Sequence, residues 1–206
     1  MSPSNLPDNH PRNLRIGDLA QFSVLPEIPE LSERAMEVTD IWTLDLQGET
    51  RTLFQLRDDR NRLYTLEVTA DWGDRALAVG RELSRGEVGQ LLPLDKLAEM
   101  FGEAVGVRME RVSEPDAFKG WTAPSYVQSV DAWKGYWLDG DYRHKRLPTY
   151  EEGLLEVDCY ALRDDTGLHG FDAEVFANSE TRIRALVFLP DNAITPLRSG
   201  QGSGAA

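Results

Sequence analysis

The chain has 206 residues, of which 41% are hydrophobic and 28% charged, a composition typical of a folded protein and too apolar for a wholly disordered one. Thirty-five acidic and 22 basic residues give a net charge of -13, which disfavours binding to duplex nucleic acid. No apolar run approaches the roughly 18 residues of a membrane-spanning helix, and the single cysteine favours a reducing compartment. We therefore expect a cytoplasmic protein with no membrane insertion.

The first half of the chain predicts strands followed by short helices. Three prolines among polar residues predict a flexible arm over residues 1–13. Residues 36–46 are rich in strand-forming side chains, and residues 52–56 and 64–68 alternate apolar and polar positions with the period of two of half-buried strands. These strands, with short helices that end near residue 114, predict a first β-rich lobe over residues 14–114.

Two capping signals place the helices. Ser84 and Glu87 have the spacing of a capping box. Asp95 can cap a second helix that carries Leu97 and Met100 on its apolar face.

The second half predicts another β-meander over residues 115–197. Leu155, Val157, Cys159 and Ala161 share one face of a strand, and the turn at residues 164–167 leads into further strands at 171–176 and 183–189. The Gly/Ser-rich residues 198–206 predict a flexible tail. The sequence thus predicts an α+β fold, predominantly antiparallel β, of two β-meander lobes joined by a short helical segment.

The two lobes share short sequence matches. Residues 56–59 (Leu-Arg-Asp-Asp) recur at residues 162–165, and residues 67–68 (Glu-Val) recur at residues 174–175. An internal duplication and two unrelated hairpins explain these matches about equally well. The acidic residues concentrate on both meanders, so we expect the solvent faces of the two sheets to be negative.

No catalytic, metal-binding or cofactor-binding motif is present in the sequence. His10, His144 and His169 have no partner at the spacing of metal ligands, and no phosphate-binding glycine motif occurs. Cys159 lies within a predicted strand among aliphatic neighbours, where a thiol is usually inert. We therefore expect no metal, no cofactor and no nucleophilic catalysis. Carboxylates are so numerous that an acid–base pair stays open as an alternative.

The most unusual composition lies in residues 121–142, which contain six aromatic side chains and precede a basic tetrapeptide at 143–146. Aromatic and basic side chains together are typical of binding surfaces for proteins. The candidate partner-binding residues are Trp133, Tyr136, Trp137, Tyr142, Arg143 and Arg146. The alternative is structural, with Trp133, Gly135 and Trp137 on one strand face that covers a sheet.

Residues 14–18 (Leu-Arg-Ile-Gly-Asp), residues 37–42 (Glu-Val-Thr-Asp-Ile-Trp) and the hairpin at 52–68 resemble small bacterial β-rich domains of unknown function. Such domains are encoded beside phage-shock-type membrane-stress proteins and polyamine-synthase-like enzymes. The resemblance covers about the first third of the chain and implies an accessory bacterial protein.

Three functions follow as hypotheses. The first is a non-catalytic cytoplasmic accessory protein that binds another protein. The second is an acidic immunity or inhibitor protein that neutralises a basic toxin or nuclease. The third is a carboxylate-dependent hydrolase, which requires a pocket with at least one carboxyl group of raised pKa.

Overall fold

The computed structural model describes residues 9–46, 48–68, 76–102, 104–148 and 154–198, which form eleven strands and two short α-helices. The strands are β1 (Leu19–Phe22), β2 (Ala35–Leu46), β3 (Glu49–Arg57), β4 (Leu63–Val68), β5 (Leu77–Glu82), β6 (Arg108–Glu110), β7 (Ser125–Asp139), β8 (Leu155–Arg163), β9 (His169–Phe176), β10 (Thr181–Leu189) and β11 (Ile194–Leu197). The helices are α1 (Arg85–Leu91) and α2 (Leu94–Met100). The predicted strands at 36–46, 52–56, 64–68, 155–161, 171–176 and 183–189 are all present.

Eight of the strands close an antiparallel barrel in the order β2-β3-β4-β5-β10-β9-β8-β7. The closing contact joins β2 to β7 through four residue pairs, from Trp42 opposite Asp139 to Asp45 opposite Tyr136. Beyond this contact, β2 pairs with β1, which pairs with β11, and β7 pairs with β6. The two predicted meanders therefore build one barrel, β2–β5 from the first and β7–β10 from the second.

This closure does not confirm the prediction of two lobes, because both meanders belong to one sheet. The pairing of β5 with β10 and of β2 with β7 uses the edges that two separate meanders would leave exposed. Helices contribute only two elements of seven residues each, so the fold is mostly antiparallel β with minor helical content. The internal duplication stays a prediction.

Both faces of the barrel strands are largely buried. One face points outward into a large apolar core that α1, α2 and the segment around Trp121 cover, with Phe54, Leu66 and Val187 among its members. The other face points inward, because its side chains from β2, β3, β4, β7, β8, β9 and β10 line a single cavity. Glu67 of β4 and Arg163 of β8 on this face influence each other electrostatically although they are four strands apart, which is expected on the concave side of a closed sheet.

The helix signals were partly correct. Ser84 and Glu87 form the predicted capping box at the start of α1. Asp95 does not cap α2, because Pro93 occupies the N-cap position and makes no side-chain capping bond. Neither helix in the described residues is long and apolar enough to cross a membrane.

The predicted arm and tail are packed where the structure describes them. Pro11–Asn13 forms a 3-10 turn with Pro11 buried, and the main chain of this segment accepts bonds from Arg143 and Arg198. Arg198 also pairs with Asp18 at 3.2 Å. Residues 1–8 and 199–206 lie outside the described residues.

Candidate functional site: a charged chamber inside the barrel

The barrel contains a partly open cavity of about 300 Å³ that is lined by charged side chains. Three guanidinium groups and three carboxyl groups from β3, β4, β8, β9 and β10 project into it. These side chains are Arg51, Glu67, Arg163, Asp172, Glu174 and Arg184. We call this space the chamber.

Alternation along the strands places these groups together. Residues on one face of neighbouring strands lie opposite each other in the ladder, as Asp172 does with Arg184 and Ala161 with Asp172. Glu67 and Arg163 lie on opposite sides of the barrel, four strands apart, and still influence each other electrostatically. Because the wall of the barrel is curved, side chains that are distant in sequence form one cluster.

The six charged groups form three ion pairs, which differ in the distance between the partners. Arg184 Nη2 forms a close ion pair with Glu174 Oε1, and both side chains are at least 94% buried. Arg163 Nη1 donates to Asp172 Oδ1 at 2.7 Å. The distance from Arg51 Nε to Glu67 Oε1 is 3.6 Å, too long for a hydrogen bond.

Two buried polar atoms of this cluster lack a hydrogen bond to the described residues. They are Glu67 Oε1 and Arg184 Nε. Buried polar atoms are normally paired, because desolvation without a partner costs about 1–3 kcal/mol. An acceptor and a donor without hydrogen bonds beside a cavity are therefore positions where a ligand or ordered water can bind.

Burial changes the ionisation of the carboxyl groups. Burial raises the pKa of Glu174 to about 7 in spite of the neighbouring Arg184 guanidinium. Burial also raises the pKa of Glu67, and Arg51 offsets only part of this effect. Burial acts in the same direction on Asp172, but Arg163 and Arg184 together hold its pKa below the usual value. Asp172 is thus the firmly ionised carboxylate.

Cys159 also lines the chamber, on the predicted face of β8. Burial, with the negative potential of Glu174, raises the pKa of this thiol to about 12. A neutral thiol is a poor nucleophile, and an inert role for Cys159 stays a prediction. The surroundings are not aliphatic, however, because the partners on β9 are carboxyl groups.

One wall of the chamber is apolar. Leu44 and Leu46 of β2 and Trp133 of β7 line it, and the Arg51 guanidinium carbon lies 5.4 Å from the centre of the Trp133 ring. The chamber therefore has a charged side and an apolar side, which is the usual character of a site for a small organic molecule.

A gap in the wall adjoins the chamber. On one edge, β7 pairs with β6 over residues 125–127 and with β2 over residues 136–139, so that residues 129–134 have no strand partner there among the described residues. Two register shifts against β8 and a left-handed Ala132 (φ 44°) bend the strand at this point. Val130 and Trp133 line both the chamber and the surface depression over the gap.

The predicted partner-binding residues separate into two groups. Trp133 lines the chamber, and Trp137 is buried in the barrel, 5.7 Å from Phe176 ring to ring. This agrees with the structural alternative for Trp133, Gly135 and Trp137, which share the inward face of β7. Tyr136 is half-buried on the outward face.

The basic side of the predicted patch is only partly exposed. Arg143, a candidate partner-binding residue, has a side chain that is 91% buried and donates to the main-chain oxygens of Arg12 and Leu14. Tyr142 is half-buried beneath Lys145, and Arg146 is exposed. Trp137 and Arg143 therefore hold the fold together, and a role in partner binding stays a prediction for the others.

The expectation of negative solvent faces does not hold for three of the acidic residues. Glu67, Asp172 and Glu174 belong to the acidic meanders but lie inside the barrel, where three arginines face them. The sequence pattern does not predict the chamber, because charged residues that alternate with apolar ones normally lie on the solvent side of a strand. The signal was present in β9 and β10, where charges at 172, 174, 182 and 184 recur with period two on strands rich in buried residues.

Comparisons with protein-family models, curated proteins and solved structures gave no match. The resemblance to bacterial domains of unknown function therefore stays a prediction. Within the described ranges, no three histidine, cysteine or carboxylate side chains are grouped as metal ligands.

Proposed function

We propose that this protein is a non-catalytic binding protein whose barrel chamber holds a small molecule. The observation that carries the proposal is the cavity of about 300 Å³ bordered by buried atoms of Glu67 and Arg184 that make no hydrogen bond to the described residues. Its volume suits a molecule of metabolite size. An accessory role in the bacterial cytoplasm is part of the same proposal.

Energetics support a functional reason for the charges. Buried ion pairs generally give no more stability than apolar side chains of the same volume, because desolvation offsets the attraction between the charges. A barrel that needed only stability would be filled by leucine and valine, like the outer face of the same strands. The polar interior instead supplies fixed hydrogen-bonding groups to a ligand.

Filling the chamber tests this function. Ala161 is 5% exposed and lines the cavity, so Ala161→Met inserts a side chain into the ligand space. Ala98→Met, at an exposed position of α2, is the matched control. The wild type and the control, purified under native conditions, should carry a small molecule in native mass spectrometry or gain thermal stability with metabolites from a library.

Ala161→Met should lose both effects while remaining folded. The proposal is wrong if wild-type protein carries no ligand and no library member raises its melting temperature. It is also wrong if Ala161→Met binds as tightly as wild type.

A second candidate function is acid–base catalysis inside the chamber. The pKa of about 7 for Glu174 gives a carboxyl group that can both donate and accept a proton at neutral pH. This meets the requirement stated above for a carboxylate-dependent hydrolase. If a captured ligand is converted to product, Glu174→Gln should abolish turnover while binding is retained. Equal turnover by the variant would exclude this role.

A protein partner, including a basic toxin neutralised by the acidic surface, stays a prediction for the exterior of the barrel. Arg146 is the exposed member of the candidate set and the natural position to test it.

A further inference from the structure

We infer that the ligand of the chamber is a small organic anion, with its carboxylate or phosphate head against Arg184 and a flat apolar body against Trp133. This inference rests on the proposed binding function. It follows from the hydrogen-bond donors, the apolar wall and the entry route of the chamber.

Hydrogen-bond donors predominate on the charged side. Each guanidinium group carries five N–H donors and no acceptor, and three of these groups line the chamber. Arg184 is 94% buried, and its Nε–H has no acceptor among the described residues although Glu174 occupies Nη2. A carboxylate or phosphate oxygen supplies the acceptor that this donor lacks.

Charge balance points the same way. Neighbouring carboxyl groups raise the pKa of Arg51 and of Arg184 in spite of burial, so both stay protonated, whereas the pKa of Asp172 is lowered. The raised pKa values of Glu67 and Glu174 favour their neutral forms on binding of an anion. Protonation of Glu67 and Glu174 leaves the guanidinium groups in excess over the ionised Asp172. The chamber can therefore balance the charge of a bound anion.

The apolar wall limits the rest of the ligand. Leu44, Leu46 and Trp133 provide a surface without charge on the side away from the ion pairs. A cavity of about 300 Å³ is larger than a lone phosphate or sulfate requires and suits one aromatic ring with a charged substituent.

The gap beside residues 129–134 gives the ligand its entry route. Trp133 lies at this gap and in the chamber, so that an entering ring meets the indole before its head reaches Arg184. Lys134 is 70% exposed next to the gap, where its Nζ pairs with Asp158 Oδ1 at 3.0 Å.

Matched benzene derivatives test the charge of the ligand. Benzoate, phenyl phosphate, benzamide and benzylamine have one ring and differ in the head group. Each is titrated at constant ionic strength into wild-type protein, and binding is followed by NMR at the Trp133 indole N–H. The indole of Trp121, which is buried in the outer core and bonded to Glu30 at 2.7 Å, is the internal control.

Benzoate or phenyl phosphate should bind at least tenfold more tightly than benzamide and shift Trp133 but not Trp121. The tighter of the two anions assigns the head group as carboxylate or phosphate. In the double variant Glu174→Gln/Arg184→Gln, which removes both members of the pair, anion affinity should fall at least tenfold and benzamide affinity should stay the same.

Three results would overturn the inference: benzamide binding as tightly as the anions, benzylamine binding most tightly, or none of the four probes binding wild-type protein. The chamber-filling experiment is judged separately. A ligand lost in Ala161→Met together with preference for benzylamine would leave the binding function intact and reverse only the charge of the ligand.

Discussion

The buried pair of Arg184 and Glu174 gives a prediction about stability that depends on pH. Arg184→Met leaves a carboxyl group in the barrel without its cation. Removal of one partner of a buried ion pair costs about 3–5 kcal/mol of unfolding free energy. Because Glu174 can take up a proton and become neutral, the loss of unfolding free energy should vary with pH.

The direction follows from the pKa of Glu174, which burial raises from the unfolded value of 4.5 to about 7 in the folded wild type. A raised pKa stabilises the fold fully below the unfolded value, and this contribution is lost as pH rises from 4.5 to 7. Without Arg184 the folded pKa rises further, so the loss continues above pH 7. The difference between wild type and Arg184→Met should be constant below pH 7 and should then grow by about 1.4 kcal/mol per pH unit.

Urea unfolding followed by tryptophan fluorescence at pH 6, 7, 8 and 9 measures this difference. Arg57→Met is the matched control, because Arg57 pairs with Glu37 at the surface with both side chains 44% exposed. This pair should be worth about 0–1 kcal/mol at every pH. Equal destabilisation by Arg184→Met at pH 6 and pH 9 would refute the assignment of Glu174 as the buried titrating group.

Three further predictions concern other positions. Gly135→Ala should destabilise the barrel by about 2–4 kcal/mol in urea titrations, because the added Cβ would lie 2.6 Å from the main-chain oxygen of Asp45. The control is Gly86→Ala, whose added Cβ has no atom within 4 Å and which should change stability by less than about 1 kcal/mol. Cys159 should react with a thiol reagent at pH 8 at least about 100-fold more slowly than a peptide cysteine; a similar rate would contradict its raised pKa. Arg143→Ala should lower the melting temperature, since it removes buried donors; an unchanged temperature would argue against this anchoring role.

Local patterns predicted the strands of the two meanders well. Residues 155–161 and 183–189 combine period two with strand-forming side chains, and the hairpins have the expected turn residues. The short strands escaped prediction for identifiable reasons. Strand β5 contains Gly80, and β11 contains Pro196 in a strand of four residues; both residues weaken a strand signal.

Closure of the barrel could not be predicted, because it depends on pairs that local sequence does not encode. The chamber followed from closure. Glu67 on an amphipathic strand is indistinguishable in sequence from a solvent-facing glutamate until the strand is known to curve around a cavity. The usual rule that the polar face meets solvent fails when apolar segments such as the one around Trp121 cover the outside of the sheet.

The pairing of β1 with β11 has a consequence for how the chain folds. Leu19 lies opposite Leu197, and Trp42 lies opposite Asp139, so two joints of the sheet connect residues far apart in sequence. Contacts of this kind form slowly, because a long loop must be ordered before they give any stability. During synthesis, β1 cannot pair with β11, and β2 cannot pair with β7, until those later strands have left the ribosome. The newly made N-terminal strands therefore spend the longest time with unpaired edges.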